Sequence, residues 1–316
     1  MFKYRVHQLN KFWYWMNERH RIYLKKKAGE KMPWTNDPIL REYKFTNVFR
    51  QLDRVTQKWE SRYITVLGSG KKLTDGDLLF ELVKFRIFNW PPTYDLLRHG
   101  LVSNKWNQKR AVEILKAAKA EGKQLFTGAY IVTGGGSSDP KYETICAALQ
   151  VAFENRDKMA KKIRRYASMK RACEVLKDIP TVGPFVAYEM ACDLRHTRVL
   201  SHAKDVLSWA NPGPGAKRGI HRLLTGEAEN MVPRPDYVAV MRDLLVKSET
   251  ALGNHVKCDW PFEMREIEHS LCEFDKYMRV KNGEGRPRSR YTPTVKEVQL
   301  GLFSALPDDE DPEKAK

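Results

Sequence analysis

No two cysteines in this sequence stand in a C-x-x-C arrangement, and the five present (Cys146, Cys173, Cys192, Cys258 and Cys272) are an odd number. A disulfide framework and a cysteine-built zinc site are therefore excluded as organising features, and reduced core thiols are expected. Also missing is any run of 18 apolar residues, and the first ten residues, half of them polar, do not form a cleavable leader. A soluble cytoplasmic protein with no membrane partner is expected. Alternation of apolar and polar residues over strand length is scarce, which argues against β-structure. Acidic charge is short as well: 39 Asp and Glu face 56 Lys and Arg, a net charge of +17. The last twelve residues hold five acids against two bases, so the rest of the chain is more basic still. Such a body calls for a polyanion, with nucleic acid as first candidate.

What the chain does have is helical periodicity. Apolar residues recur at three and four positions through most of its 316 residues, and an apolar content of 42% suffices for a core. The pattern predicts an all-α fold with helices over 3–27, 37–60, 75–89, 105–121, 141–156, 169–178, 184–194, 215–225, 234–251 and 262–282. Breakers separate them: Pro33, Pro91-Pro92, the glycines at 134–136, Pro180, the Pro-Gly-Pro-Gly run at 212–215, Pro233 and Pro261. "TGAYIVTGGG" could be a short extended piece. One helical domain over 1–292, open to division into two lobes around a DNA cleft, is followed by a flexible tail over 293–316. A monomer is expected.

Several stretches could carry chemistry. At the N-terminus "FKYRVHQLNKFWYWMNERHRIYLKKK" interleaves rings with cations, as single strands or flipped bases require. Phe12, Trp15, Arg19 and Tyr23 fall at helical spacing, so a core face is the stronger reading, with Lys25, Lys26 and Lys27 left to face phosphates. In "TNVFRQLDRVTQK" one helical stripe would align Asn47, Arg50, Arg54 and Lys58, with Asp53 beside it and Thr46 as N-cap. Two arginines a turn apart can grip a phosphate or pyrophosphate; a solvated charge face would look the same. "VLGSGKKLTD" is not a phosphate loop, since Thr65 and Lys72 stand where that pattern needs Gly and Ser or Thr.

"LKDIPTVGPFVAYEMACDLRHT" resembles the helix-hairpin-helix signature, in which a glycine hairpin offers N–H groups to a DNA phosphate. Thr181 replaces the first hairpin glycine and Gly183 supplies the second. In glycosylases with this motif a catalytic aspartate follows by some twenty residues; Asp205 lies 22 after Gly183. Further on, Gly213 and Gly215 free the backbone before a helix carrying Lys217, Arg218 and Arg222, a second phosphate cradle or a simple loop. Glu189 stands one turn before Asp193, either as an acid pair for proton transfer or as partners for the surplus arginines. Glu268, Cys272 and Asp275 share one helix face, with His269, Glu273 and Lys276 on the next.

Taken in order, "PWTNDPILREYKFTNVFRQLDRVT", "IPTVGPFVAYEMACDLRHT", "WANPGPGAKRGIHRL" and "EMREIEHSLCEFDKYMRVKNGEGRPRSRY" resemble the α-glutamyl/putrescinyl thymine pyrophosphorylase family, which also forms the helical domain of phage 5-hydroxymethyluracil DNA kinases and includes amino acid:DNA transferases. The resemblance spans about residues 30–292. It implies a glycosylase-like helical fold, phage DNA as partner, and thymidine hypermodification. In that reaction 5-pyrophosphoryloxymethyl-deoxyuridine in DNA loses pyrophosphate and an amino acid or polyamine takes its place. Arg50, Arg54, Lys276 and the 213–215 cradle then become candidates to hold the leaving group, and Asp205, Glu189, Asp193 and Glu268 candidates for the base, Asp205 first. No cofactor is implied, although a divalent metal is compatible with pyrophosphate release. A glycosylase and a noncatalytic DNA-binding subunit are the rival readings.

The tail holds one more signal. Gln299, Leu300, Gly301, Leu302 and Phe303 resemble the short peptide by which bacterial proteins bind the replicative sliding clamp.

Overall fold

A computed structural model describes residues 2–68, 73–100, 106–127, 138–229, 233–287 and 290–291. Among these residues the chain is all-α, with twelve α-helices, no strand, and one isolated bridge between Tyr43 and Arg290. No described helix is long and apolar enough to cross a membrane. The expected extended piece at "TGAYIVTGGG" and the tail peptide with Gln299, Leu300, Leu302 and Phe303 lie outside the described residues, apart from Thr127.

The chain divides into two compact units. The first comprises residues 1–49, 214–261 and 269–316, and the second 50–213 and 262–268.

The first unit is built on α1 (Val6–Lys27), α2 (Pro38–Glu42), α10 (Pro214–Thr225), α11 (Tyr237–Leu252) and most of α12 (Met264–Lys281). Phe12, Trp15 and Met16 of α1 are fully buried, so the aromatic stripe is core rather than a base-stacking surface. α10 and α12 approach closely. A Cβ on Gly219 would run into the Leu271 carbonyl, and one on Gly215 would meet Cys272, so both glycines serve helix packing.

The second unit contains α3 (Arg54–Gly68), α4 (Asp75–Phe88), α5 (Pro91–Gly100), α6 (Gln108–Ala120), α7 (Lys141–Tyr166), α8 (Met169–Leu176) and α9 (Pro184–Leu194). α4 is its centre, buried all round from Leu78 to Phe88 and packed on α7, α9 and α5. It starts at a capping box of Thr74 and Asp77 and ends at Asn89, which takes the left-handed conformation.

Three expected boundaries are corrected. The helix over 37–60 is broken: α2 ends at Glu42, residues 43–49 run without helix, and a 3₁₀ turn (Arg50–Leu52) precedes α3. Long-range contacts outbid local propensity there, because Tyr43 bridges to Arg290 and the Thr46 N–H donates to Glu273 instead of Thr46 capping a helix. Pro91-Pro92 opens α5 instead of only ending its predecessor, as a ring without an N–H fits the first helical position. α7 continues to Tyr166 because Met159, Ala160 and Ile163 extend its buried stripe past a polar stretch.

Between α8 and α9 the chain makes a short turn in which Thr181 holds φ +68°. This left-handed conformation suits glycine and is costly for a β-branched side chain. Thr181→Gly is therefore expected to raise stability by about 1 kcal/mol, once the extra freedom of glycine in the unfolded chain is offset. Urea unfolding of the two proteins measures it.

Candidate active site

Buried charge in the second unit is gathered around the inner face of α9. Glu189 and Asp193, one turn apart, are 2% and 0% exposed. Both meet arginines. Arg86 of α4 holds Asp193 through two nitrogens, Nη2 donating to Oδ1 at 2.9 Å, and donates from Nη2 to Thr56 Oγ1 and from Nη1 to Asn89 Oδ1, each at 3.0 Å. Arg50 pairs with Asp53 and lies 3.7 Å from Glu189. Arg265, from the first turn of α12, stands 3.9 Å from Asp193. Of the two readings of the acid pair, the geometry favours partners for arginine.

His196 completes this layer. Its Nε2 lies 3.1 Å from Gln51 Nε2 and 3.3 Å from Arg265 Nη1. Since a guanidinium can only donate, Nε2 accepts, and Nδ1 carries the proton of the neutral ring. Burial, reinforced by Arg265 and Arg195, depresses this imidazole to about 3. For Arg265, burial alone would lower the guanidinium, but Cys192, Glu266, Asp193 and Glu189 keep it charged.

Glu60 of α3 faces the same layer and differs from the other acids. Its Oε1 is buried with no hydrogen-bond partner. Burial, with Asp193 nearby, pushes its carboxyl up to about 7 against the opposing pull of Arg265 and Arg86. The Arg50 Nε is likewise buried without an acceptor. Gln51 Oε1 in the same layer is a further buried acceptor without a hydrogen-bond partner, so Glu60 is set apart from the other acids by its raised carboxyl rather than by that oxygen alone.

The remaining sequence candidates are dispersed. Asp205 accepts from Ser168 Oγ at 2.8 Å, from the Met169 N–H at 2.6 Å and from the Lys170 N–H at 3.1 Å, which makes its carboxylate a second cap on α8. Asp205→Ala is expected to destabilise the protein by about 0.5–2 kcal/mol, the usual loss for a cap, as read by urea unfolding. Glu268 Oε1 accepts from the Gly213 N–H at 3.1 Å, so this N–H points at a carboxylate and not at an open phosphate site.

The expected stripe of Asn47, Arg50, Arg54 and Lys58 does not form. Asn47 lies before the 3₁₀ turn and accepts from Arg19 at 2.7 Å in the first unit, while Arg54 and Lys58 are exposed on α3 in the second. Also in the first unit, Lys276 pairs with Glu273 at 2.7 Å, Arg218 donates to Asp275 at 2.8 Å, and Lys217 sits over the Tyr237 ring. Lys26 turns inward, over the rings of Trp34 and Tyr291 at 4.6 and 4.2 Å, leaving Lys27 exposed and Lys25 half-buried beside it. Gly183 is exposed, with open space where a Cβ would stand.

Residues 6–286 match the family described as 5-hmdU DNA kinase, helical domain. The chain belongs to this family. A protein named 5-hmdU DNA kinase from Bacillus phage SP10 is 29% identical over 281 residues, which covers 82% of this chain and 43% of that protein. The chain thus spans less than half the length of this relative. No solved structure matches. In this member of the helical-domain family, no sequence motif marks Arg86 or Glu60 as a functional candidate. Arg86 had a visible sign, a cation inside the apolar run "FELVKFRIF"; Glu60, in the polar stretch "QKWESR", had none.

A cavity of about 440 Å³ lined by Asp75, Gly76, Asp157, Lys161, Arg164 and Arg165 lies elsewhere on the second unit. Its Asp75 already accepts from Arg164 and Arg198.

Proposed function

We propose that the protein is a phage thymidine-hypermodification transferase, replacing the pyrophosphate of 5-pyrophosphoryloxymethyl-deoxyuridine in DNA with an amine. Membership of a family described by a DNA kinase acting on 5-hmdU supports the base and the polymer. The observation that carries the reaction type is a Glu60 carboxyl raised by burial in a layer rich in arginine, where Glu60 and Arg50 share Arg86 and Arg265 as charged neighbours. Displacement needs both kinds of group. The incoming ammonium must lose a proton to become a nucleophile, and a carboxyl poised near neutrality takes it. Departing pyrophosphate carries several negative charges, which a guanidinium can stabilise as they develop. The C–N bond forms as the C–O bond to pyrophosphate breaks, and the proton ends on Glu60.

Glu60 therefore takes the base role that sequence ranking assigned first to Asp205, and Arg50 keeps its place at the leaving group. The exposed Arg54 can assist from the start of α3. The turn at Thr181 and Gly183 supports a helix-hairpin-helix contact with DNA, since Thr181 holds the conformation of the glycine it replaces. The amine is an amino acid or a polyamine. A divalent metal is compatible with pyrophosphate release.

Nucleoside mass spectrometry tests the reaction, using DNA that contains 5-pyrophosphoryloxymethyl-deoxyuridine with a mixture of amino acids and polyamines. A new aminomethyl nucleoside is expected and names the amine. Release of a free base would identify a glycosylase, and unaltered DNA would leave a binding subunit. The tail peptide adds a second partner: a chain ending at Lys296 is expected to lose affinity for a bacterial sliding clamp, measured by titration calorimetry, and equal affinity would remove the clamp from the account.

A further inference from the structure

Folding leaves two large apolar side chains unburied beside the α8–α9 turn. Phe185, the second residue of α9, is 50% exposed, and Leu207 is 59% exposed. Scattered apolar residues on a surface are ordinary, but these two are pinned from several sides. The Asp205 carbonyl accepts the N–H groups of Ser208 and Trp209 at 3.0 and 2.8 Å, closing a tight turn with Leu207 inside it. The Asp205 carboxylate ties this turn to the start of α8. Its far end is fastened to α9, where Asn211 Nδ2 donates to the Pro184 carbonyl at 3.2 Å and Trp209 packs edge-on against Tyr188. Residues 205–211 are thus held along the first turn of α9, and Phe185 and Leu207 belong to one rigid surface.

The charge around this surface has one dominant sign. Lys170 on α8, Lys177 just after it and Lys204 just before the tight turn are all exposed, with Asp178 the exposed acid among them. Large apolar side chains on a fixed backbone, with exposed lysines on the neighbouring segments, do not suit a small polar ligand or a neutral protein face. They suit duplex DNA, whose base stack accepts an apolar wedge while the flanking phosphates meet lysines.

We propose that Phe185 and Leu207 form a wedge that enters the base stack of duplex DNA, with Lys170, Lys177 and Lys204 on the phosphates at either side. The inference rests on the reading that the protein acts on DNA, and names the surface by which it would open the helix at the target base. Unstacking one step costs a few kcal/mol, which the phosphate contacts offset. A thymine derivative loosened in this way exposes its 5-methylene carbon to a buried carboxyl more readily than one inside a stacked duplex.

The experiment uses the full chain and a duplex carrying 2-aminopurine next to the modified base, whose emission rises when it is unstacked. The wild type is expected to bind and to raise the emission several-fold. The double variant Phe185→Ala, Leu207→Ala is expected to bind within about tenfold of the wild type yet to lose the rise, while Phe185→Leu keeps it. Replacing Lys170, Lys177 and Lys204 by alanine is expected to lower the slope of log K against log salt by about 3. Binding without a rise, or an unchanged rise in the double variant, overturns the wedge and leaves the DNA reading standing. No binding to duplex at low salt overturns both. Self-association of the wild type that depends on Phe185 and Leu207, seen by sedimentation without DNA, would make the surface a protein interface and also overturn the wedge.

Discussion

Glu60→Gln is expected to slow amine transfer by about 10²- to 10⁴-fold while DNA binding is kept. The substitution preserves shape and removes only the ability to take a proton. The pH profile separates this role from a structural one. In the wild type, kcat/KM should climb through about pH 7 as the Glu60 carboxyl ionises, and in the variant this limb should vanish. Stability should move the other way. The folded protein holds the Glu60 proton up to about 7, whereas an unfolded chain releases it near the ordinary 4.5, so the native state binds more protons in between. Stability contributed at this position is therefore lost as pH rises from 4.5 to 7, and Glu60→Gln should be the more stable protein at pH 8. His196 has the opposite sign. Its folded value near 3 lies below the unfolded 6.5, so its contribution is present above 6.5 and is lost as pH falls toward 3. A variant that is less active, more stable at pH 8 and flat in its pH profile would fit a base kept at a cost to the fold. Full transfer activity in Glu60→Gln would remove Glu60 from the reaction.

Arg86→Ala should give the largest loss of stability, about 3–5 kcal/mol, because it strands Asp193 at 0% exposure without its two-nitrogen partner. Arg265, 3.9 Å away, is too far to replace those hydrogen bonds. The thermal midpoint should fall by roughly 6–20 °C, the range expected for a unit of this size. Differential scanning calorimetry reads it directly. The companion variant Arg86→Met, Asp193→Leu should recover most of the loss, since two matched apolar side chains ask for no compensation. Recovery of stability without recovery of transfer would show that the pair is kept for the arrangement of the layer around Glu60 and Arg50. A midpoint unchanged in Arg86→Ala would mean that Asp193 finds another partner, and the buried layer would lose its proposed rigidity.

Much of this protein is legible in its sequence. The all-α class followed from periodicity, and most helices from periodicity bounded by proline and glycine. The helical-domain family followed from four ordered blocks of sequence. These properties are local or additive, so they survive in a linear reading. The pairing of α9 acids with arginines could be listed as one of two options for the same reason, since residues four apart share a face.

Other features depend on contacts between distant parts of the chain. The expected helix over 37–60 broke because Thr46 and Asn47 found partners at Glu273 and Arg19, far away in sequence. Gly215 changed from a phosphate cradle to a packing contact because Cys272 stands against it. That Asp205 caps α8 is equally invisible in sequence, because the start of that helix folds onto it from 36 residues away. Glu60 shows the limit most clearly. In sequence it is one acid in a polar stretch, and it becomes distinctive only where burial and a neighbouring Asp193 raise the cost of its charge. Which residues are buried and what lies opposite them is a property of the packed chain, and the chemistry of a carboxyl is set by that environment.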